Sequence, residues 1–362
     1  MSEPRAEILL PTRDLRKDLP FFTKTLKMRL DTIYPADDPA VAVMSGHGLR
    51  LRLDAGFEAA PGHIRILTDD FATFADGARV LTAPGGTKVT IEELNPPVYQ
   101  PPTEHAFVVR RLADQAPWVI GRAGMHYRDL VPSRLGGAII ASHIRIPDGG
   151  PVPDMVHFHK VGFQLIFCIK GWVEVVYEDQ GPAIRLGAGD CFIQPPEIRH
   201  RVLTASDGIE VIEIGVPADH VTEIDHDMTL PTAHLRADRE WQGQRFVHNV
   251  GAEAEWGGFR KPGFICRDTT INENTKGVAG VQVVRKGQGV PVMTRHDGDI
   301  LFGFVMSGEM TLHGEGKDPF RLSPGDAFVT PPGLATCWAD PSDDFELLEV
   351  AVPGVFGTEI LA

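Results

Sequence analysis

The stretch HFHKVGFQ, residues 157–164, places two histidines and a glutamine at a spacing that suits a metal ion. Residues two apart in a β-strand point to the same face, so His157 and His159 would project together. A turn after that strand would bring Gln164 back beside them. Imidazole nitrogens and a side-chain carbonyl oxygen are ligands for divalent transition metals. The alternative is a pair of surface histidines on a hairpin, and the surrounding elements must decide between the two.

An internal repeat organises the chain around this stretch. Regular recurrence of landmarks indicates two copies of one structural unit. Each copy contains short runs rich in β-branched and aromatic residues, bounded by Gly, Pro and Asp, which predicts a small all-β barrel or sandwich. The landmarks recur at a nearly constant offset along the chain: Gly171 and Gly308, Gly189-Asp190 and Gly325-Asp326, Pro195-Pro196 and Pro331-Pro332.

The first copy resembles the cupin superfamily in two motifs. The family's first motif is Gly, about five residues, His-x-His, three or four residues, Glu, six residues, Gly; its second is Gly, five residues, Pro-x-Gly-x-x-His. The second is matched by GDCFIQPPEIRH, with Glu197 in place of a glycine. The resemblance spans residues 120–217 and recurs at 258–353. It implies a mainly β fold with two tandem double-stranded β-helix (jelly-roll) barrels. The residues at the motif positions are Gly150, His157, His159, Gln164, Gly171, Gly189, Pro195 and His200.

The resemblance implies a metal site in the first barrel. It brings His200 from a second hairpin to His157 and His159, with Gln164 as fourth ligand of one divalent ion per chain. Most metal cupins place a glutamate at this fourth position, so the amide removes one negative charge and leaves the ion a stronger Lewis acid. The neutral set is similar to all-histidine iron sites, so Fe(II) is favoured, with zinc, nickel and manganese as alternatives. A barrel with a polar interior and no ion remains the other possibility.

The second copy retains one of the four ligands. The equivalent positions hold Thr294, His296, Leu301 and Thr336. A single histidine beside a leucine does not hold a divalent ion in competition with water. This predicts a degenerate barrel that packs against the first one or forms a dimer face, although such a barrel can still bind an organic ligand.

Other polar residues are candidates for acid, base or anchoring roles. His143 and Arg145 alternate with apolar residues in ASHIRIPDGG and would be catalytic residues if they point into the barrel. An inward guanidinium would pair with a carboxylate or enolate substrate. The alternative is that both lie on the outer face. Tyr177, Glu174 and Glu213 lie on further candidate strands, and the sequence leaves open which of them face inward.

The N-terminal segment predicts a small α+β domain. It reads strand, helix, strands; Asp14 is placed to cap a helix whose apolar residues recur every three or four positions. The stretch LPTRDLRKDLPFFTKTLKM resembles one module of the glyoxalase/bleomycin-resistance (vicinal oxygen chelate) family, and a shortened second module is expected after it. Glu7, His63 and Glu92 fall near that family's metal ligands, but Arg52 would repel a cation. A degenerate, oligomer-forming or ligand-covering domain is therefore favoured.

Composition limits the partners. The chain has 362 residues with 35 basic and 49 acidic ones, and the net charge of -14 disfavours nucleic acid and anionic membranes as partners. No apolar stretch reaches the roughly 20 residues of a membrane helix, and the first residues lack a signal-peptide pattern, which predicts a cytoplasmic protein. The cysteines are scattered, as expected for reduced core residues: Cys168, Cys191, Cys266 and Cys337.

Together these patterns predict a glyoxalase-like domain over residues 1–98, a metal-binding cupin barrel over 99–230 and a barrel without metal over 231–362. The first functional hypothesis is an iron dioxygenase that acts on an aromatic diol or a dicarbonyl compound. The second is a zinc, nickel or manganese isomerase, lyase or cyclase for a sugar or keto acid. The third is a ligand-binding protein without chemistry. The expected partners are a small-molecule substrate and, as in similar cupins, a second copy of the chain.

Overall fold

The computed structural model describes residues 4–70, 72–114, 118–121 and 124–361. The chain divides into two compact units, Met1–Pro97 and Val98–Ala362. The first predicted boundary, after residue 98, lies one residue beyond this division, and the two predicted barrels share the second unit. Among the described helices, none is long and apolar enough to cross a membrane.

The N-terminal unit begins with a strand, a helix and three further strands: β1 Ile8–Pro11, α1 Leu15–Pro20 with a π-helical turn Phe21–Thr25, β2 Arg29–Tyr34, β3 Val41–Gly46 and β4 Leu49–Asp54. Asp14 caps the helix as predicted, because it accepts hydrogen bonds from the backbone N–H groups of Arg16 and Lys17 at 3.1 and 3.4 Å. The sheet order is β1-β4-β3-β2, with β1 parallel to β4. Phe22 and Leu26 bury the apolar side of the helix in the core of this unit.

A second, smaller sheet completes the N-terminal unit: β5 His63–Thr68, a 3-10 turn Phe74–Gly77, β6 Val80–Thr82 and β7 Lys88–Glu93. Its order is β5-β7-β6, with β5 parallel to β7. Both segments therefore contain the strands that the sequence predicts, and the relation to the glyoxalase family stays a prediction.

The first barrel follows. Its long sheet has the order β23-β17-β14-β19-β11-β10-β9 and its short sheet the order β16-β15-β18-β13-β20, with β12 on β18. The strands from residue 108 to residue 249 are β8 Val108–Arg110, β9 Val119–Ile120, β10 His126–Asp129, β11 Ile140–Ile146, β12 Gly150–Pro151, β13 His157–Lys160, β14 Phe163–Lys170, β15 Trp172–Tyr177, β16 Ile184–Gly187, β17 Cys191–Ile193, β18 His200–Ala205, β19 Ile209–Val216, β20 Val221–Ile224, β21 Glu240–Trp241, β22 Gln244–Arg245 and β23 Val247–Asn249; short 3-10 turns span Leu112–Asp114 and Arg134–Gly137.

The second barrel repeats the plan. Its long sheet has the order β24-β25-β26-β33-β28-β31-β8 and its short sheet the order β30-β29-β32-β27-β34. The elements are a 3-10 turn Gly251–Glu253, β24 Trp256–Gly258, β25 Phe264–Asp268, α2 Ile271–Asn274, β26 Gly280–Lys286, β27 Thr294–His296, β28 Ile300–Ser307, β29 Met310–Gly314, β30 Phe320–Leu322, β31 Ala327–Val329, β32 Thr336–Ala339, β33 Glu346–Val352 and β34 Thr358–Ile360. This confirms the repeat and the mainly β fold class that the sequence predicts.

The long sheets of the two barrels share one hydrophobic core. Residues such as Phe167 and Ile212 from the first barrel and Phe304 and Leu348 from the second lie in the same buried cluster. Side chains alternate along a strand, so the neighbours of these residues, Ile166 among them, face the interior of their own barrel. The central strands are therefore buried on both faces.

The barrels also exchange one strand each. β8, which precedes the first barrel in the chain, pairs with β31 of the second barrel. β23, which lies beyond the first barrel, pairs with β17 of that barrel. Each exchanged strand immediately precedes the barrel that follows it in the chain, so the two are equivalent parts of the repeat. Each exchanged strand pairs with a barrel on the other side of the predicted boundary between residues 230 and 231. That boundary stays a prediction.

Two buried arginines join the barrels reciprocally. Arg128 Nη2 donates to the carbonyl of Gly325 at 2.5 Å, and Arg267 Nη2 donates to the carbonyl of Gly189 at 2.5 Å. Each glycine belongs to the Gly-Asp turn of the other barrel. Gly325 is buried and Gly189 is partly buried, so the charged donors satisfy acceptors that have lost some or all of their contact with water.

We expect Arg267→Met to lower the free energy of unfolding by about 2 kcal/mol, because the carbonyl of Gly189 loses a charged donor. Arg267 also donates to Asn249 Oδ1 at 3.2 Å, so the exchanged strand β23 loses a contact as well. Urea unfolding followed by fluorescence measures the change. Arg201→Met, at an exposed arginine, is the control and should change stability by less than about 0.5 kcal/mol.

Candidate metal centre

Three histidines converge inside the first barrel. His157 and His159 lie on β13, and His200 begins β18 directly opposite His157. The ring centroids of His157 and His200 are 4.3 Å apart, and His159 lies 5.2 and 5.3 Å from the other two. One nitrogen from each ring can be chosen so that all three lie within 4.8 Å of one another. The structure thus brings together the three imidazoles that the motif implied.

The outer nitrogen of each ring is held by a fixed partner. His157 Nδ1 lies 2.8 Å from the carbonyl of Met155 and His200 Nδ1 lies 2.9 Å from the carbonyl of Ile198. A carbonyl can only accept, so in these two rings Nδ1 carries the proton and Nε2 carries the lone pair. His159 Nδ1 lies 2.8 Å from Thr222 Oγ1. The arrangement presents Nε2 of these rings as a metal ligand.

Gln164 and Glu213 support a cation at this place. Gln164 is 1% exposed, and its Nε2 donates to Glu213 Oε1 at 2.7 Å. Its Oε1 is buried and has no hydrogen-bond partner among the described residues. Within the same residues, no lysine or arginine forms an ion pair with Glu213. Glu213 is partly buried, and a carboxylate withdrawn from water is normally paired or binds a metal, so these groups and the imidazoles fit a divalent cation.

The turn before His200 keeps the motif's backbone despite its altered sequence. Glu197 has φ 66°, in the left-handed region that the motif's glycine would adopt without strain, and the equivalent Gly333 has φ 82°. The backbone N–H of Glu197 donates to the carbonyl of His159 at 3.0 Å. This bond ties the turn to β13 and sets where β18 begins.

A cavity of about 80 Å³ opens beside the histidines. Its lining is mostly apolar and includes Ile144, Ile146, Ile166 and Val202; none of the described residues that line it is a lysine or arginine. Glu213 also lines it, together with Gln194 and Tyr177, which are joined by a hydrogen bond of 2.9 Å from Gln194 Nε2 to Tyr177 Oη. Burial raises the pKa of Tyr177, so its hydroxyl keeps its proton.

His143 and Arg145, which the sequence proposes as catalytic residues if they point into the barrel, do not line the cavity beside the histidines. On β11 it is the alternate residues, Ile144 and Ile146, that line the cavity. His143 instead packs 5.6 Å from the ring of Phe304 in the second barrel, with Nε2 2.8 Å from Glu210 Oε2.

His143 is held in place at this junction between the barrels. Arg128 Nη2 donates to its Nδ1 at 3.1 Å, and burial lowers the pKa of His143. The guanidinium of Arg145 lies 4.4 Å over the ring of Trp118. Both faces of β11 are covered by other parts of the protein. The alternation of polar and apolar residues along this strand therefore does not indicate which face lines the cavity. Glu174 also lies away from the cavity, in an ion pair of 2.8 Å with Arg185.

In the second barrel, the described side chains at the four equivalent positions include one imidazole. Thr294 lies opposite Thr336 on β27 and β32, where His157 lies opposite His200 in the first barrel. His296 is 4% exposed, and its Nε2 lies 3.1 Å from both the carbonyl and the hydroxyl of Thr330. The retained histidine is thus held by the protein itself, and Leu301 supplies no ligand atom.

Side-chain cations of the chain occupy this region of the second barrel. Lys261 is 5% exposed, and its Nζ donates to Thr294 Oγ1 and lies 4.9 Å from the ring of Trp338. Arg260 pairs through two nitrogens with Glu349, which takes the place on β33 that Glu213 has on β19. Trp338, at the position on β32 equivalent to Val202 on β18, fills the interior. The second barrel therefore has two positive side chains in the region that is equivalent to the histidine site of the first barrel.

The candidate ligands of the N-terminal unit are engaged elsewhere. Glu7 accepts from Arg50 Nε at 2.9 Å, Glu92 accepts from Arg65 Nε at 2.8 Å, and His63 Nε2 lies 3.2 Å from Thr90 Oγ1. In the described part of this unit, no cluster of three metal-binding side chains forms. All four cysteines are free and buried, as the sequence predicts.

Comparison with known proteins follows the same division of the chain. The family model of the cupin domain matches residues 142–214 and again residues 280–350. Both barrels are cupin domains. No curated protein sequence matches the chain. The family matches confirm the predicted pair of cupin domains.

Solved structures with two such domains resemble this chain. Salicylate 1,2-dioxygenase from Pseudaminobacter salicylatoxidans matches 73% of this chain and 90% of its own, with TM-score 0.54 and 16% identity. A variant of Bacillus subtilis oxalate decarboxylase matches 72% of this chain and 82% of its own, with TM-score 0.52 and 14% identity. Identities this low support a shared fold.

Two residues beside the cupin site were not identified from the sequence. Asp154 is buried, accepts a hydrogen bond from the backbone N–H of Val202 at 2.9 Å and lies 3.5 Å from His157 Nδ1. His220 packs its ring 5.5 Å from that of His159, where the second barrel places Phe356 against His296. The internal repeat could have identified His220. Its offset aligns His220 with Phe356, so a polar residue stands in the first barrel where the second barrel has an apolar one.

His159→Ala should remove most of the bound metal, with a loss of affinity of at least about tenfold, because the site keeps two of its three imidazoles. His296→Ala should leave metal content unchanged, since its ring is held by Thr330. Elemental analysis per chain, on protein purified without a histidine tag, measures both. Equal metal loss in the two variants would contradict the assignment of the second barrel.

Stability should depend on pH through Lys261. Burial lowers the pKa of Lys261 from 10.5 to about 8, so the folded protein binds this proton more weakly than the unfolded chain does. The stability of the wild type relative to Lys261→Met should be level below about pH 8, rise by on the order of 3 kcal/mol between about pH 8 and 10.5, and level off above that. Denaturant unfolding at several pH values measures the difference, and a flat profile would contradict it.

Proposed function

We propose that the first barrel is the active site of a metal-dependent enzyme, a dioxygenase for a small, largely apolar substrate with two oxygen donors. An aromatic diol or a dicarbonyl compound in its enol form has this chemistry. The observation that carries the proposal is the placement of three buried imidazoles beside an apolar cavity that no described lysine or arginine lines.

The cavity's size and lining restrict the substrate. A water molecule needs roughly 10–15 Å³ of such space, so about 80 Å³ suits a small organic molecule. Without a lysine or arginine in the lining, a dicarboxylate would lose hydration that only the ion could replace. This favours a neutral substrate or a monoanion. Of the two similar enzymes, the salicylate dioxygenase is therefore the closer guide, by analogy of fold alone.

Each side chain has a distinct task in this proposal. His157, His159 and His200 hold the ion through Nε2, and Gln164 offers its oxygen as a fourth donor. Fe(II), the favoured ion, would supply redox chemistry toward O₂ when bound. The apolar lining excludes water from reactive species. Glu213 accepts a hydrogen bond from a substrate hydroxyl and so orients the substrate in the cavity.

One observation favours an oxygen-independent alternative. Glu213 lines the cavity as a carboxylate without a cationic partner among the described residues, the kind of group that removes a proton beside a polarised carbonyl. With zinc, nickel or manganese, the same site would then serve an isomerase, lyase or cyclase. A ligand-binding cupin without chemistry is the remaining outcome.

Oxygen consumption tests the proposal. Iron-loaded protein is mixed with catechols and β-diketones in an oxygen electrode, and product formation is followed by mass spectrometry. We expect substrate-dependent O₂ uptake that His159→Ala abolishes because the ion is lost. Substrate turnover without O₂ uptake would replace the dioxygenase with the proton-transfer alternative, and no turnover of either kind would favour the binding protein.

Val202→Trp provides a variant with the metal site intact. It copies Trp338 of the second barrel and fills the cavity, so turnover should fall by at least about tenfold while metal content stays at the wild-type level. Val202→Phe makes the same change in a smaller step if the tryptophan prevents folding. Val221→Trp, at a residue that is 56% exposed, is the control and should retain activity. Full activity in the folded Val202 variants would place the reaction outside this cavity.

A further inference from the structure

The amide of Gln164 has one orientation that its surroundings permit. A carboxylate accepts hydrogen bonds and does not donate them, so Glu213 can pair only with the NH₂ group of Gln164. The 2.7 Å contact between Gln164 Nε2 and Glu213 Oε1 has this polarity. It leaves Oε1, the atom of the amide that can bind a metal, without a protein partner in the described residues.

The strand register brings this pair to the histidines. Glu213 lies on β19 opposite Ile166 of β14, two residues along the strand from Gln164. Residues two apart share a face, so Gln164, Ile166 and Glu213 lie on the same side of the sheet. Glu213 lines the cavity together with His157, His159 and His200. The carboxylate is therefore close to the ligand set, although it is not one of the cluster of three side chains whose ligand atoms lie within 4.8 Å.

The second barrel shows what the same carboxylate does where no metal is expected. Glu349, the equivalent of Glu213, pairs with Arg260, and the equivalent of Gln164 is Leu301. In the barrel with three histidines the amide is present and Glu213 has no ion pair among the described residues, whereas in the other barrel a leucine replaces the amide and Glu349 is ion-paired with Arg260. This difference within one chain associates the carboxylate of Glu213 with the histidine site rather than with the barrel fold.

We propose that Glu213 is a positioning residue that holds Gln164 with its oxygen presented to the ion and supplies the negative charge that the amide lacks. The motif's carboxylate position holds the amide of Gln164 here, and the carboxylate of Glu213 lies one hydrogen bond away from that amide. The inference rests on the proposed metal binding. With this arrangement, Glu213 would contribute negative charge near the ion without itself being a metal ligand.

Cobalt(II) titration of the metal-free protein tests the inference, with the visible absorption of the bound ion as a readout independent of activity. Glu213→Gln should weaken cobalt binding by about 10- to 100-fold, as is typical when a partner of a metal ligand is removed. Glu213→Leu, which can neither accept a hydrogen bond nor carry charge, should weaken it at least as much. Glu210→Gln is the matched control on the same strand; its carboxylate pairs with His143 away from the cavity, so affinity should stay within about twofold.

The double variant Gln164→Glu/Glu213→Gln distinguishes positioning from general loss of structure. It restores one carboxylate and one amide in contact, so cobalt binding should recover to near the wild-type affinity, with an altered visible spectrum because a carboxylate now binds the ion. Wild-type affinity in Glu213→Gln, or no recovery in the double variant when it is folded, would overturn the inference. Absence of cobalt binding by the wild type would instead overturn the proposed function, and the inference with it.

Discussion

The structure depends on strands that are buried on both faces. In β11, β14 and β19, one set of alternate side chains packs into the core shared by the two barrels, and the other set faces the first barrel's interior. A shift of one residue in β19 would turn Glu213 into that shared core and Ile212 into the cavity. The register that holds the barrels together is therefore also the register that assembles the metal site.

Much of the fold and part of the site could be predicted from local patterns. The His-x-His spacing, the nearly constant offset of the repeat and the loss of ligands in the second copy each depend on short segments read one at a time. The orientation of His143 could not be predicted, because its partners Arg128 and Phe304 come from another strand and from the other barrel. The contact between Gln164 and Glu213 joins residues 49 positions apart, and no motif marks it.

The two barrels illustrate two ways to make a polar barrel interior stable. The first gathers imidazoles, an amide oxygen and a carboxylate, which fit a cation from outside the chain. The second buries Lys261 against Thr294 and pairs the partly buried Arg260 with Glu349, so its cations are covalently part of the protein. The lowered pKa of Lys261 shows that burying this charge is costly. The first barrel has no lysine or arginine among the described residues that line its cavity, and open space lies beside its histidines instead.

The exchanged strands give the protein a particular order of assembly. β17 obtains its neighbour β23 only after residue 249 has been synthesised, and Arg110 of β8 pairs with Ala327, on the far side of the whole first barrel in the chain. Contacts of such long sequence separation form slowly because the intervening loop must close first. The edge of the first barrel at β17 therefore stays unfilled until the segment that leads into the second barrel has been synthesised. β8, made before either barrel, has no strand partner until β31 of the second barrel follows, so the sheet of each barrel is completed by a strand from outside that barrel's own run of strands.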